Sequence, residues 1–366
     1  MSNLHAISAM NQSVWSDQVS RAMLEKGELR RLIDEDGISG VTSNPTIFAN
    51  AITKSNDYDG VISQLAADGA GTEAIYTELV KRDIQDACDV LLPVWAKSEK
   101  RDGHVSVEVS PELAFDTDGT IADARAWWKR VDRQNLLIKV PATAAGLPAI
   151  EQLIAEGISV NVTLIFSLDR YRDVMKSYLN GIEKLIDSGG DPSGVASVAS
   201  FFVSRFDSEV DDRLNYLGSE EALALRGKTA VANARAAYGA FLEVFAGIRW
   251  DSLASAGAQI QRPLWASTST KNPDYDDLLY VEPLIVGHTV NTMPLSTIDA
   301  YRDHGDPNPG RFGDVEIEAA RATLEALDQA GVDYDDVVQV LEDEGVDKFV
   351  ASYKELLASI AGQAAR

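Results

Sequence analysis

The segment Asn135-Leu-Leu-Ile-Lys139-Val-Pro-Ala-Thr143 sets a lysine behind three aliphatic residues and two positions before a proline. That pattern suits the last turn of a buried strand. Burying an ammonium is costly unless it is paired or gives up its proton, and a lysine without its proton forms imines with carbonyl compounds. Alone, Lys139 reads better as half of a structural ion pair with Glu108 or Asp17. Six polar residues change the balance, because Asp17, Asn44, Glu108, Asn161, Thr163 and Ser200 each fall at or near the C-terminal end of a candidate strand. Each has an ordinary account: Asp17 as a helix cap, Asn44 as the turn before Pro45, Ser200 as a small filler. Together with a buried lysine they point to carbonyl chemistry at one rim of a sheet.

The elements that must hold this rim are short β-rich runs separated by helical periodicity. About eight such runs occur, the number that closes a (β/α)8 barrel. They lie near Ser13–Asp17, Ile38–Asn44, His104–Val109, Leu136–Val140, Ile158–Thr163, Val195–Val203, Arg262–Ser267 and Leu279–Leu284. Helical patterns cover Thr72–Leu92, Leu168–Asp187, Ser219–Phe245, Val315–Asp328 and Lys348–Ile360. Polar residues alternate with aliphatic ones inside the strands: Ser159, Asn161 and Thr163 share one face, and Val160, Val162 and Leu164 the other. His104, Ser106 and Glu108 alternate likewise with Val105, Val107 and Val109. Aliphatic residues turned out onto helices and polar ones turned in is what a barrel with a polar mouth requires; a doubly wound open sheet keeps both faces apolar. The expected fold is therefore α/β, a (β/α)8 TIM barrel with additional helices. It is expected to span residues 1–366 as one domain, with inserted helices after strands 2 and 6 and a helical C-terminus. Acidic residues such as Asp333, Asp335 and Asp336 are expected to cap or solvate a helix start.

Composition narrows the function classes. With 57 acidic against 33 basic residues the net charge is −24, which argues against nucleic-acid or anionic-membrane partners. An anionic substrate must then be caught by a few local cations against the average field. The single cysteine, Cys88, lies on the apolar stripe of a predicted helix and reads as core packing. The N-terminal residues lack a basic stretch followed by an apolar run, and no stretch is long enough to span a bilayer, so a cytoplasmic protein is the expectation. His5, His104, His288 and His304 share no metal-ligand spacing. Arg226-Gly-Lys-Thr229 looks like the tail of a phosphate loop, but Ala222 stands where the first glycine belongs. Neither a metal nor a nucleotide site is expected.

Four motifs, in order, resemble those of the transaldolase family: Asp36-Gly-Ile-Ser-Gly-Val-Thr-Ser-Asn-Pro-Thr-Ile-Phe48, Leu137-Ile-Lys139, Asn161-Val-Thr-Leu-Ile-Phe-Ser167 and Ser200-Phe-Phe-Val-Ser-Arg205. The similarity runs from Val14 to about Asn291, in the longer form found in actinobacteria and related bacteria. The resemblance implies a Schiff-base enzyme without cofactor that moves a dihydroxyacetone unit from sedoheptulose 7-phosphate to glyceraldehyde 3-phosphate. It implies Lys139 as the amine, Asp17 as the base on the C4 hydroxyl, and Glu108 with Thr163 as holders of a proton-relaying water. It further implies Asn44, Asn161 and Ser200 on the sugar hydroxyls, Phe202 as apolar surroundings of the amine, and Arg205 with Lys271 on the phosphate. Many family members carry arginine where Lys271 aligns, so Ser269 shares that duty as an alternative. The rivals are an aldolase of the same superfamily that releases free dihydroxyacetone and a sugar-phosphate-binding barrel without turnover. Short fructose 6-phosphate aldolases carry tyrosine at the Phe202 position, which favours transfer. Sugar phosphates are the expected partners, and the expected assembly is a monomer or homodimer.

Overall fold

The computed structural model describes residues 2–306, 308 and 312–365. Eight parallel strands close in sequence order: β1 Gln12–Ser16, β2 Gly40–Val41, β3 His104–Glu108, β4 Leu136–Pro141, β5 Val160–Ile165, β6 Ser197–Phe202, β7 Arg262–Ala266 and β8 Thr289–Met293. Every strand residue is buried. Outward valines and isoleucines such as Val105, Val107, Ile138, Val140, Val160 and Val162 pack under the surrounding helices. Burial of this kind, about 25 cal/mol per Å² of apolar surface, is what closes the ring.

Register decides which polar residues meet. Glu108 pairs with Lys139, and Lys139 pairs with Asn161, so three neighbouring strands carry their polar side chains at one height on one face. Alternation along single strands links the two ends of the barrel. Ser13, Trp15 and Asp17 share the inner face at the foot of, along and just past β1; His104, Ser106 and Glu108 do the same on β3. Gly40 admits the Trp15 indole, since a Cβ there would lie 2.5 Å from its ring.

The expected barrel is the observed one, with local differences. The run Leu279–Leu284 is not a strand: it forms turns ending in a 3₁₀ turn at Glu282–Leu284, and β8 is Thr289–Met293. Pro283 withholds a backbone donor from any ladder. Thr289–Met293 is polar in sequence, and its pairing along all of β1, from Gln12↔Thr289 to Ser16↔Met293, decides its structure. β2 shortens to two residues. The predicted helix at Ser219–Phe245 breaks into Glu220–Leu223 and Thr229–Val244 around Gly227, whose φ is +69°.

The C-terminal helix is longer than expected, Tyr334–Ala364, and starts where the Asp333 carboxylate accepts a hydrogen bond from Asp336 N–H at 3.1 Å. Its buried face, with Leu341, Gly345, Phe349, Leu356 and Ile360, recurs at helical spacing. Cys88 is fully buried in helix Thr72–Lys97. Among the described residues, no helix is long and apolar enough to cross a membrane.

Candidate active site

Lys139 stands at the C-terminal end of the barrel, 5% exposed. Its Nζ donates to the Ser43 carbonyl at 3.3 Å and lies 3.7 Å from Glu108 Oε2. It also lies 5.7 Å from the centre of the Phe349 ring. The amine therefore has one weak carbonyl partner, one carboxyl at ion-pair distance and one aromatic face. Only one of the three donors of an ammonium is spent in a hydrogen bond among the described residues.

Glu108 is buried, and burial pushes its carboxyl up to about 7, against the lowering pull of Lys139 and Arg205. A carboxyl that changes protonation near neutral pH can both give and take a proton. Its Oε2 and the Thr163 Oγ1 are shielded from solvent with no hydrogen-bond partner among the described residues. Asp17, just beyond β1, is half-buried, and its Oδ1 is likewise shielded and unpartnered. Burial raises the Asp17 carboxyl to about 6, while Lys271 and Lys139 pull it down. Buried polar atoms without partners are costly; neutral ones also occur at the foot, on Gln12, His104, Asn135 and Gln261, but the carboxyl oxygens among them, of Asp17 and Glu108, both lie at this end of the barrel.

Asn161 is fixed from two sides. Its Nδ2 donates to Ser106 Oγ at 3.0 Å, and its Oδ1 accepts from Ser200 Oγ at 2.7 Å. This chain ties β3, β5 and β6 together and settles which way the amide faces. After Thr163 the backbone of Leu164 adopts φ +59° at an irregularity in the β5–β6 register, which turns the end of β5 at the site. Asn44 spends its Oδ1 as the cap of helix Pro45–Thr53, accepting from Ile47 N–H at 3.0 Å. The capping account of Asn44 is thus met as well, and its Nδ2 has no partner among the described residues.

The cationic end lies beyond Phe202. Arg205, in the first turn of helix Ser204–Leu217, sets its guanidinium 5.2 Å from the Phe202 ring and 6.0 Å from the Phe349 ring. Phe166 stacks on Phe202 at 5.2 Å. Burial lowers the affinity of Arg205 for its proton, and its Nη1 is shielded without a hydrogen-bond partner among the described residues. Lys271 is exposed and donates to Ser269 Oγ at 2.5 Å. Burial and the Arg205 charge lower its pKa, and Asp17 opposes them; both cations therefore act on the same space. Ser269 and Lys271 stand together, so both candidates for the phosphate remain in place. The loop carrying them is pinned by Tyr275 to Asp211 at 2.6 Å and by Tyr280 to Asp207 at 3.0 Å.

The ten residues read from the sequence all fall at this end of the barrel. Ser43, Ser106, Phe166 and Phe349 were missed. Ser106 carried a signal, lying two residues before Glu108 on its face; Phe349 carried none, because only the tertiary fold brings its helix over the barrel. The Thr229 end of the Arg226–Thr229 stretch is turned onto a carboxylate. The amide of Ala230 and the Thr229 hydroxyl already donate to the Asp207 carboxylate, at 2.6 and 2.7 Å.

Residues 14–360 match the family model described as transaldolase/fructose-6-phosphate aldolase. A transaldolase of Mycobacterium ulcerans is 54% identical, covering 99% of this chain and 97% of its own length. One of Thermobifida fusca is 53% identical over all of this chain and 99% of its own. A third, of Mycobacterium tuberculosis, is 53% identical over 97% of this chain and 95% of its own.

Proposed function

Because the chain belongs to the transaldolase/fructose-6-phosphate aldolase family and its function is that of a transaldolase, we propose that Lys139 is the amine through which it transfers a dihydroxyacetone unit. The supporting observation is a buried lysine 3.7 Å from a carboxyl whose pKa burial has raised to about 7. Lys139 adds to the C2 carbonyl of a ketose phosphate, and the carbinolamine loses water to give a protonated imine. Glu108, acting through a water held with Thr163, supplies and recovers the protons of that step. Asp17 takes the proton of the C4 hydroxyl, C3–C4 breaks with its electron pair entering the imine, and an aldose phosphate leaves. The enamine then adds to an acceptor aldehyde by the reverse steps.

Asn44, Asn161 and Ser200 hold the three-carbon fragment by its hydroxyls, and Phe202 keeps the amine in apolar surroundings. Arg205 holds the phosphate with Lys271 and Ser269. Sedoheptulose 7-phosphate as donor and glyceraldehyde 3-phosphate as acceptor are the substrates this reading assigns, in the cytoplasm. The test is reduction with borohydride in the presence of fructose 6-phosphate. A three-carbon adduct is expected on the peptide carrying Lys139; adduct formation on another lysine, or turnover that survives Lys139→Ala, overturns the assignment.

A further inference from the structure

The C-terminal helix Tyr334–Ala364 lies against the mouth of the barrel, and its fixings are spread along its length. Arg213 pairs with Asp336 at 2.7 Å, Arg170 with Glu342 at 3.5 Å, and Tyr334 donates its hydroxyl to Asn233 at 2.9 Å. Farther on, Thr46 donates to Ser352 at 2.8 Å, and Tyr353 meets Tyr76 edge-on at 5.3 Å. Thr46 lies two residues after Asn44, in the helix that Asn44 caps. At Gly345 the helix comes down on the end of β5: a Cβ there would stand 3.0 Å from Leu164 and 3.6 Å from Phe166. One helical turn later, on the same face, the chain places Phe349.

Phe349 is 4% exposed, and its ring faces two cations at once, Lys139 Nζ at 5.7 Å and Arg205 Cζ at 6.0 Å. The ring therefore flanks both the imine end and the phosphate end of the bound sugar. A packing role alone would be served by any apolar face on aliphatic neighbours. Here the neighbours are the reacting nitrogen and the arginine of the phosphate end.

We infer that Phe349 is a specificity-determining residue whose ring keeps bulk water from the Lys139 enamine, so that the three-carbon unit waits for an aldehyde. The inference rests on the reading of Lys139 given above. Without the barrier, the enamine carbon takes a proton to give the imine, and water adds to C2. The C–N bond then breaks, with the proton of the water returning to nitrogen; in sum, enamine and one water give free dihydroxyacetone and the lysine amine. Both outcomes share the steps up to the enamine, so the barrier alters the partition between them and leaves adduct formation intact.

The experiment measures free dihydroxyacetone released from fructose 6-phosphate without acceptor, divided by transfer to glyceraldehyde 3-phosphate. In Phe349→Ala the ratio is expected to rise at least about tenfold, because an excluded-water site loses its wall. Phe349→Leu, which restores apolar bulk, is expected to return it to within roughly threefold of the parent. Leu356→Ala, on the buried face of the same helix but two turns away, separates loosening of the helix from loss of the ring and is expected to leave the ratio unchanged. A ratio unmoved in a Phe349→Ala protein that melts cooperatively overturns the inference, and so does an equal rise in Leu356→Ala. Should Phe349→Ala fail to fold, Phe349→Val carries the same test. Absence of the borohydride adduct in the parent protein would instead sink the reading of Lys139.

Discussion

The two ends of this barrel bury charge in opposite ways. At the foot, Asp102 receives Ser13 Oγ–H at 2.8 Å, Trp15 Nε1–H at 3.1 Å and Arg262 Nη2–H at 3.1 Å. Arg262 also donates to Ser13 Oγ at 2.7 Å and to the Arg101 carbonyl at 2.6 Å. Burial would raise the Asp102 carboxyl, but Arg262 and these hydrogen bonds outweigh it and hold the carboxyl below its ordinary value. At the mouth, Asp17 and Glu108 are raised to about 6 and about 7, each with one buried oxygen that has no hydrogen-bond partner among the described residues. The same strands, β1 and β3, run between the two clusters. A satisfied cluster fixes a structure; an unsatisfied one stores free energy that a substrate can release. The foot opens into a hollow of about 460 Å³ lined by His104, Ser197 and Arg262, yet the buried acid beneath it is already paired.

The contrast breaks most readily at Lys139 and Asp102. Lys139→Met is expected to lower turnover by roughly 10⁴-fold or more, as loss of a covalent nucleophile does, while leaving the thermal midpoint equal to or above that of the parent. A large fall in melting temperature would make Lys139 structural. Asp102→Asn should do the reverse. It leaves the Arg262 guanidinium buried without its counter-charge, a loss of about 3–5 kcal/mol, and turnover per folded molecule should stay within about twofold of the parent. Calorimetry and a coupled assay on the same two proteins decide the pair.

Glu108→Gln sharpens the comparison through pH. The folded carboxyl titrates near 7 and the unfolded one near 4.5, so between those values the native state holds a proton that the unfolded chain has lost. Stability from this group is complete below 4.5, falls as pH rises, and is lost above 7. Replacing Glu108 removes that slope, and the variant should gain on the parent from pH 5 to pH 8. Activity should fall by about 10²-fold or more, the usual worth of a positioned acid–base group. Asp102 has the opposite linkage: its lowered pKa gives stability present above the ordinary carboxylate range and lost as pH falls through it. Melting curves should therefore show Glu108→Gln gaining on the parent between pH 5 and pH 8, while the deficit of Asp102→Asn stays flat over that range and shrinks only below the ordinary carboxylate value of 3.8.

The mouth was legible in the sequence because its strands break a rule. A strand under helices should be aliphatic on both faces, and Lys139, Glu108, Asn161 and Thr163 violate that in register. The foot obeys a different logic. Arg262 opens a candidate strand, but Asp102 lies outside one, and nothing in the spacing shows that Ser13, Trp15, Asp102 and Arg262 meet. β8 was misread for a related reason: Thr289–Met293 is polar locally and becomes a strand through β1. Phe349 lay beyond reach because its helix is amphipathic like any other, and only tertiary packing shows that its ring meets a nitrogen as well as carbon.

Lys271 sets the finest test of the contrast, since it is exposed where Lys139 is buried and Arg205 partly buried. Its interaction with a phosphate is screened by water, so removing it should cost about 1 kcal/mol, or roughly fivefold to tenfold in KM for the phosphorylated donor, with kcat changed little. Its second effect is electrostatic. Lys271 is the larger of the two charges that lower the Asp17 carboxyl, and in the proposed reaction Asp17 must be ionised to take the C4 proton. The acid limb of kcat/KM, placed near pH 6 by that carboxyl, should therefore move to higher pH in Lys271→Gln. In Lys271→Arg, which keeps the charge, it should stay. Exposure limits the first effect but not the sign of the second, because Asp17 itself is shielded. A higher KM with an unmoved limb would place Lys271 on the phosphate alone, and a moved limb with unchanged KM would place it on Asp17 and leave the phosphate to Arg205 and Ser269.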